Sequence, residues 1–412
     1  MKSIIFLLFV ALPLLLTGCD SRNQTSQLIA VSDAESIAVA SPDNVRKAET
    51  QPVISVSSEP VKLSVPSEDR NQAFALQFVE TPECYYYVRH CFSENGMLNF
   101  IYFCPRGGTV FYPLCSKPNC KHDNSNCNAF CGIHLGYYDG SLYTNDLDEF
   151  PLVKLIKMNP DGTDHQVVAA FDPSGGTGRM GASCAFHHGM FFLFCKPTDT
   201  MLPEERSYRL IVVNLADGSQ SELASDFYDT AKEVPDRYWY YKDKLYGEVF
   251  GSGTESTLIE LDISTGTTRT MKAEWISDFY ATDSTLYYLV DDLSYADAYV
   301  GQASSGFREY DLKTGMVKNC GMPADHIMSA LYDEDYIYAQ GNYSNDWNDS
   351  TLYLLSRDYM LVDQIELKGL GIAAVTSDRI FFCDDNERIS FFLMKSQIGS
   401  HDLTLIPIET VG

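Results

Sequence analysis

The stretch Tyr138-Asp139-Gly140-Ser141-Leu142-Tyr143 decides the fold class, because its pattern returns along the rest of the chain. An aromatic or polar strand end leads into a tight turn, which is followed by an apolar residue and further aromatics. The copies are His188-Gly189-Met190-Phe191-Phe192, Lys242-Asp243-Lys244-Leu245-Tyr246, Asp283-Ser284-Thr285-Leu286-Tyr287, Asp335-Tyr336-Ile337-Tyr338, Ser377-Asp378-Arg379-Ile380-Phe381 and a weaker one, Asn95-Gly96-Met97-Leu98. Successive copies lie 41 to 54 residues apart, and a period in the forties is typical of four-stranded propeller blades.

A second pattern inside most repeats supplies the other two strands. Val213-Asn214-Leu215-Ala216-Asp217-Gly218 and Leu261-Asp262-Ile263-Ser264-Thr265-Gly266 each end a strand with a glycine turn. Such turns need the positive φ that glycine adopts at no steric cost. One four-stranded sheet cannot bury both of its faces, whereas a ring of sheets can. The sequence therefore predicts an all-β fold, a β-propeller of seven blades, with six or eight blades, a β-sandwich or a β-helix as the alternatives.

The second pattern also carries a resemblance. An apolar residue followed by Asp-x-x-Thr-Gly, as in Leu261–Gly266 and Tyr310–Gly315, resembles the repeats of quinoprotein-like and TolB-like propellers. The resemblance covers the repeating part of the chain and implies a propeller, but no particular reaction.

The N-terminus has the features of an export signal. The apolar run from Ile4 to Leu16 is shorter than the roughly 20 residues of a membrane span, but it fits the apolar region of a secretory signal. It ends in Leu16-Thr17-Gly18-Cys19, which resembles the lipobox of bacterial lipoproteins. We expect a signal peptide over residues 1–18 and a diacylglycerol anchor on Cys19. The alternative is an ordinary secretory signal with a chance cysteine.

The composition then divides the chain into a linker and a folded domain. Residues 19–71 are rich in Ser, Val, Pro and Gln and contain no Tyr or Trp, so they cannot bury enough surface to offset chain entropy. We expect a lipidated, disordered linker over residues 19–71 and the propeller over residues 72–412. The predicted location is the cell membrane, with the domain facing outside the cytoplasm.

The charge of the chain excludes one class of partner. Its 56 acidic residues outnumber 30 basic ones, for a net charge of −26. Nucleic acid phosphates repel such a chain. We therefore expect no nucleic-acid binding.

A group of cysteines and histidines within residues 104–134 is the sharpest local feature. Cys115, Cys120, His122 and Cys127 form the pattern C-x4-C-x-H-x4-C. Three thiolates and an imidazole at short spacing can surround one Zn²⁺ tetrahedrally, and four nearby ligands leave no open position for catalysis. Structural zinc is the predicted cofactor. Disulfides, which are common in exported proteins, and free buried thiols are the alternatives.

The same segment resembles a motif of uncharacterised propeller lipoproteins from Gram-positive bacteria. Pro113-Leu114-Cys115-Ser116-Lys117-Pro118-Asn119-Cys120-Lys121-His122 is followed by Cys127-Asn128-Ala129-Phe130. Both lie after the glycine-rich turn Gly107-Gly108-Thr109-Val110. The resemblance implies a lipobox and a propeller without implying a reaction. The reducing habitat of anaerobic members of this group favours zinc over disulfides.

The function that these features predict is recognition. The sequence contains no nucleophile elbow, P-loop or H-E-x-x-H motif, and we assign no catalytic or cofactor-binding residue. We expect a membrane-anchored, extracytoplasmic binding or scaffold module for a glycan, peptide or protein ligand. The alternative is a polysaccharide hydrolase or lyase, which needs two carboxylates across a cleft. Carboxylates or a histidine at the channel mouth would favour the enzyme, and aromatic side chains would favour the binding module.

Overall fold

Tight turns between aromatic strands divide the chain into seven sheets, one for each repeat, in which consecutive strands pair antiparallel. The computed structural model describes residues 77–93, 96–146, 152–171, 180–197, 209–223, 237–250, 255–291, 304–323, 327–342 and 349–411. The predicted signal peptide, Cys19 and the predicted linker lie outside these residues. Within the described ranges, the one complete helix is a single 3-10 turn at Lys395–Gln397, and no helix is long and apolar enough to cross a membrane.

Seven blades follow one another along the chain, as predicted. Blade 1 contains β1 (Phe78–Glu80), β2 (Cys84–Ser93), β3 (Gly96–Pro105), β4 (Val110–Pro113) and β5 (Phe130–Cys131). Blade 2 contains β6 (Leu135–Tyr138), β7 (Ser141–Asp146), β8 (Val153–Met158) and β9 (Gln166–Phe171). Blade 3 contains β10 (Met180–His187), β11 (Met190–Pro197), β12 (Arg209–Asn214) and β13 (Gln220–Leu223). Blade 4 contains β14 (Arg237–Tyr241), β15 (Lys244–Phe250), β16 (Glu255–Asp262) and β17 (Thr268–Glu274).

The remaining three blades have the same strand order. Blade 5 contains β18 (Ile276–Ala281), β19 (Thr285–Asp291), β20 (Ser304–Asp311) and β21 (Val317–Gly321). Blade 6 contains β22 (Ile327–Tyr332), β23 (Tyr336–Asn342), β24 (Ser350–Ser356) and β25 (Leu361–Glu366). Blade 7 contains β26 (Gly371–Val375), β27 (Arg379–Cys383), β28 (Ile389–Met394) and β29 (Ile406–Pro407). A last strand, β30 (Glu409–Thr410), returns to blade 1.

The repeated turn pattern joins the first and second strands of blades 2 to 7, but its predicted copy in blade 1 is wrong. Leu98 lies in β3, the third strand of its sheet. The equivalent turn in blade 1 is at Thr81, whose N–H donates to Cys84 O at 2.9 Å, as Thr282 N–H donates to Thr285 O at 2.9 Å in blade 5. Tyr85 is therefore the blade 1 counterpart of the apolar residue after the turn. The sequence hides this turn because it contains neither glycine nor aspartate.

The turns between the third and fourth strands have a second role, because they pack against the preceding blade. Arg269 of β17 donates to Leu312 O, in the next blade's turn, at 3.1 Å. A Cβ on Gly218 would lie 3.5 Å from Val168 of blade 2. Neighbouring first strands also contact each other, among them β1 with β6 and β14 with β18. The first strands therefore form the inner ring and the fourth strands the outer rim.

The last and first blades meet at a contact that we call the seam. Phe381 of blade 7 is fully buried, with ring centroids 5.2 Å from Phe78 and 5.0 Å from Tyr85 of blade 1. β30 pairs in parallel with β4, so that the C-terminal segment adds a strand to the outside of blade 1. Aromatic packing and this short pairing close the ring.

Polar contacts complete the seam. Tyr85 donates its hydroxyl to Asp378 at 2.5 Å. Arg106 contacts Glu80 at 2.5 Å and Asp378 at 3.3 Å. The backbone N–H of Ser377 donates to both carboxylate oxygens of Glu80, at 3.1 and 3.0 Å. The charged groups of the seam therefore have partners within the protein.

Candidate functional site

The predicted metal ligands lie on an insertion that interrupts the outer strand of blade 1. β4 and β5 both pair with β3, at Tyr102↔Pro113 and Phe100↔Phe130. Between them, Leu114 N–H donates to Ile101 O at 2.8 Å, and Ile101 N–H donates to Ala129 O at 2.8 Å. Both ends of the insertion are therefore fixed to one residue of the neighbouring strand. We call residues 115–128 the metal loop.

Local turns bring the four ligands together within the metal loop. Pro118 is followed by Asn119 at φ 59°, and Cys120 N–H donates to Lys117 O at 3.3 Å. Proline at the second turn position and a positive φ at the third are typical of a type II turn. Further along, Cys127 N–H donates to Asn124 O at 3.2 Å. The sequence Lys-Pro-Asn-Cys thus reverses the chain between the first two ligands.

The predicted ligand set is brought together in the structure. One ligand atom from each of Cys115, Cys120, His122 and Cys127 lies within 4.8 Å of the others, so this cluster could hold one metal ion. His122 Nδ1 lies 3.2 Å from Cys127 Sγ. Tetrahedral zinc with Zn–S bonds of about 2.3 Å places its sulfur ligands about 3.8 Å apart. The four side chains therefore fit a single tetrahedral ion after a small contraction.

The electrostatics of the cluster favour a bound cation. Burial raises the pKa of the Cys127 thiol to about 12, and hydrogen bonding with the Cys115 and Cys120 thiols adds to the rise. Burial also acts to raise the pKa of Cys115, but the backbone N–H groups of Lys117 and Asn128 outweigh it and lower the pKa. Several thiolates this close repel one another. A divalent cation would remove that repulsion and allow all three sulfurs to bind as thiolates.

The metal loop lies against blade 2. A Cβ on Gly162, in the turn between β8 and β9, would lie 2.5 Å from Leu114 O, so only glycine fits there. Tyr86 of blade 1 donates its hydroxyl to Pro160 O of the same turn at 3.1 Å. Burial beside the loop lowers the pKa of His165, whose ring interacts with the backbone of Gly162 and Asn128. The loop thus covers the outer contact between blades 1 and 2.

The other cysteines within the predicted 104–134 segment are not part of the cluster. Cys104 and Cys131 are buried, and burial raises the pKa of both thiols. His134 also lies outside the ligand set. Ten cysteines among the described residues have free thiols and no disulfide. Cys84 and Cys91 share the single strand β2, so the hairpin that a disulfide between them requires is not formed.

The inner ring is a second candidate site, which sequence reasoning did not single out. The seven first strands carry only two carboxylates, Glu80 and Asp278. Glu80 bonds Arg106 and Ser377, and Asp278 accepts Ala330 N–H at 2.9 Å. By contrast, β14 reads Arg-Tyr-Trp-Tyr-Tyr, and all five of its residues are half-buried. In the sequence, the dense aromatic run of β14 is the feature that could have indicated this second site.

The rings of β14 fill the spaces on both sides of blade 4. Tyr238 packs on Phe194 of blade 3 with centroids 3.9 Å apart. Trp239 stacks on Phe279 of blade 5 at 5.0 Å. The four rings of β14 are only half-buried, so part of each ring stays open to solvent. We call β14 and these ring partners the aromatic wall.

Comparison with known proteins identifies the fold alone. No family model matches the chain, and no curated protein does. A puromycin-hydrolysing peptidase of Mycobacterium tuberculosis is similar in structure, with a TM-score of 0.50 and 11% identity over 81% of this chain and 53% of that chain. This chain thus spans about half of that peptidase's length.

Two further similar structures are propellers or contain one. The β-propeller domain of the trilobed protease from Pyrococcus furiosus has a TM-score of 0.48 and 9% identity, over 81% of this chain and 98% of that domain. TolB from Acinetobacter baumannii has a TM-score of 0.33 and 9% identity, over 78% of this chain and 79% of that chain.

Proposed function

We propose that the chain is a lipid-anchored, extracytoplasmic binding module that holds its ligand at the aromatic wall. The aromatic wall is the single observation that carries this proposal. Ligand sites are mostly apolar and aromatic, with a few polar groups that set orientation. Rigid aromatic side chains also provide contact area at a low entropic cost. The ligand class is a glycan, a peptide or a partner protein.

The inner ring favours binding over polysaccharide cleavage. A glycoside hydrolase places two carboxyl groups about 5–10 Å apart across the scissile bond. The two carboxylates on the first strands already bond arginine or backbone N–H groups. His187, at the end of β10, bonds Lys242 O through Nε2 at 2.8 Å. No described first strand therefore offers an acid and base pair that faces a common space.

The anchor is supported by the sequence of the first 19 residues. A 13-residue apolar run ending in Leu-Thr-Gly-Cys predicts cleavage before Cys19 and lipidation of its thiol. Labelling cells with a radiolabelled or clickable fatty acid tests it. The full chain should take up the label and Cys19→Ser should not. Equal labelling of both forms would overturn the anchor.

The metal that suits the cluster is zinc. Three thiolates and one imidazole in a tetrahedron are a donor set typical of structural zinc sites. Cys115, Cys120 and Cys127 would bind through sulfur, and His122 through a ring nitrogen. When bound, the ion supplies cross-linking of the metal loop. The protein side chains fill the four positions, so the site fixes structure and leaves no position for a substrate.

A ligand screen with a matched control tests the binding proposal. The full chain is screened against arrays of bacterial and plant polysaccharides and of peptides. Trp239→Ala should weaken binding of any hit at least about tenfold, since one aromatic anchor contributes about 2 kcal/mol or more at an interface. Tyr112→Ala, which removes a 45% exposed ring on the outer rim, should leave binding unchanged. Equal losses in both variants would contradict the location of the site. Cleavage of an arrayed polysaccharide would favour the hydrolase or lyase.

A further inference from the structure

The three thiols of the metal loop differ in their access to solvent. Cys127 is only 4% exposed, whereas Cys115 and Cys120 are both half-buried. Two ligands are therefore open to a small reagent from outside, while the third is covered by the protein. A reagent that attacks sulfur would reach Cys115 and Cys120 first.

The two accessible thiols are also placed to bond with each other. Their sulfurs lie within 4.8 Å, and the turn at Pro118 and Asn119 already reverses the chain between them. A disulfide needs a sulfur–sulfur distance of about 2.05 Å. Rotation of the Cys115 and Cys120 side chains can bring the two sulfurs to this distance. The pairing of β4 and β5 need not break, because the loop is joined to the sheet only at its ends.

Together, these features lead to an inference that rests on the proposed zinc site. We propose that the metal loop is an oxidation-sensitive device, in which peroxide joins Cys115 to Cys120 and expels the metal ion. The two thiolate sulfurs each give up one electron and form an S–S bond. The O–O bond of hydrogen peroxide breaks, takes up both electrons and two protons, and yields two molecules of water. Zinc leaves as the hydrated Zn²⁺ ion.

The consequence is local, because the ends of the loop stay fixed. Leu114 and Ala129 remain bonded to Ile101, so blade 1 keeps its sheet. His122 and Cys127 are then no longer joined through the ion to Cys115 and Cys120. The turn of blade 2 at residues 159–165, which lies under the loop, becomes exposed. Oxidation would thus change the outer contact between blades 1 and 2 and leave the seam intact.

The experiment treats the zinc-loaded full chain in detergent with hydrogen peroxide. A chromophoric indicator should report one zinc released per chain, with two thiols lost. Peptide mass spectrometry should find Cys115 joined to Cys120. Hydrogen exchange should accelerate in residues 115–128 and 159–165 but not in seam residues 78–85. A thiol reductant with added zinc should restore the starting state. Cys320→Ser, which removes a half-buried thiol outside the loop, should behave as the unmodified chain.

Two results would overturn the inference, and they separate it from the zinc proposal. Zinc that stays bound while Cys84 or Cys320 is oxidised would show that the loop resists oxidation, with the zinc site itself unaffected. Release of zinc without a Cys115–Cys120 disulfide would also contradict it. A chain that carries no zinc before treatment would overturn the zinc proposal, and this inference with it.

Discussion

Blade 1 meets a neighbour on each side, and the two contacts are built in different ways. At the seam with blade 7, aromatic rings and paired charges fill the contact. At the rim with blade 2, a loop rich in Ser, Asn, Lys and Cys lies over a turn. Apolar burial stabilises the first contact without any added group. Blades 1 and 2 share a buried apolar cluster, but the metal loop above it has few apolar side chains, so a cross-linking ion is the natural source of the loop's own stability.

The largest expected effect is at the seam. Phe381→Ala should lower the free energy of unfolding by about 3–5 kcal/mol, because it leaves a cavity among buried rings. Hydrogen exchange should accelerate first in residues 78–85. Phe191→Ala, which removes an equally buried ring in blade 3, is the matched control and should leave exchange at the seam unchanged. Faster exchange in the metal loop than at the seam after Phe381→Ala would break the distinction between the two contacts.

Removing the metal should act on the other side of blade 1. With free zinc at 100 times its dissociation constant, bound zinc stabilises the fold by about 2.7 kcal/mol. A chelator should abolish that stabilisation and speed hydrogen exchange in residues 115–128 and 159–165. In Cys127→Ser the chelator should have no further effect on stability. An equal effect of chelator on both proteins would show that zinc acts elsewhere.

These two contacts show how far the sequence could be interpreted. The regular spacing of Asp and Gly turns predicted seven blades, and the pattern C-x4-C-x-H-x4-C singled out the four side chains that the structure brings together. The turn at Thr81 is closed by a threonine side chain, as in blades 5 and 7, but it lacks the aspartate that marks those two turns in the sequence. The interruption of the outer strand depends on the pairing of Leu114 and Ala129 with Ile101. The seam depends on residues almost 300 positions apart in the chain. Neither of these pairings leaves a local pattern.

Acid should weaken the contact between blades 1 and 2. Burial lowers the pKa of His134, which leads into the first strand of blade 2, to about 4. The unfolded chain takes up this proton near pH 6.5, so stability is full above that pH and falls as the pH drops toward 4. The expected loss at pH 5 is about 2 kcal/mol. His134→Asn should reduce this dependence in denaturation curves measured from pH 7 to 5 with saturating zinc. If stability depended on pH equally in His134→Asn and in the unmodified chain, His134 would not be a buried neutral imidazole.

The smallest expected effect tests the charges of the seam. Arg106→Gln removes the cation that contacts two carboxylates. It should lower the free energy of unfolding by about 1.5 kcal/mol, a typical value for hydrogen bonds to charged groups. Lys318→Ala breaks an ion pair with Glu309 whose lysine is 68% exposed, and it should cost less than about 1 kcal/mol. Urea denaturation compares the two variants. If Lys318→Ala lost more unfolding free energy than Arg106→Gln, the charged network at the seam would add little to stability.

The zinc content and thiol count of the full chain, purified without reductant and with oxygen and peroxide excluded, test the central claim most directly. Elemental analysis should give one zinc per chain, and denaturation with chelator in the presence of a thiol reagent should find Cys115, Cys120 and Cys127 all free. A chain without metal, or with two of these three cysteines joined in a disulfide, would contradict the account of the metal loop.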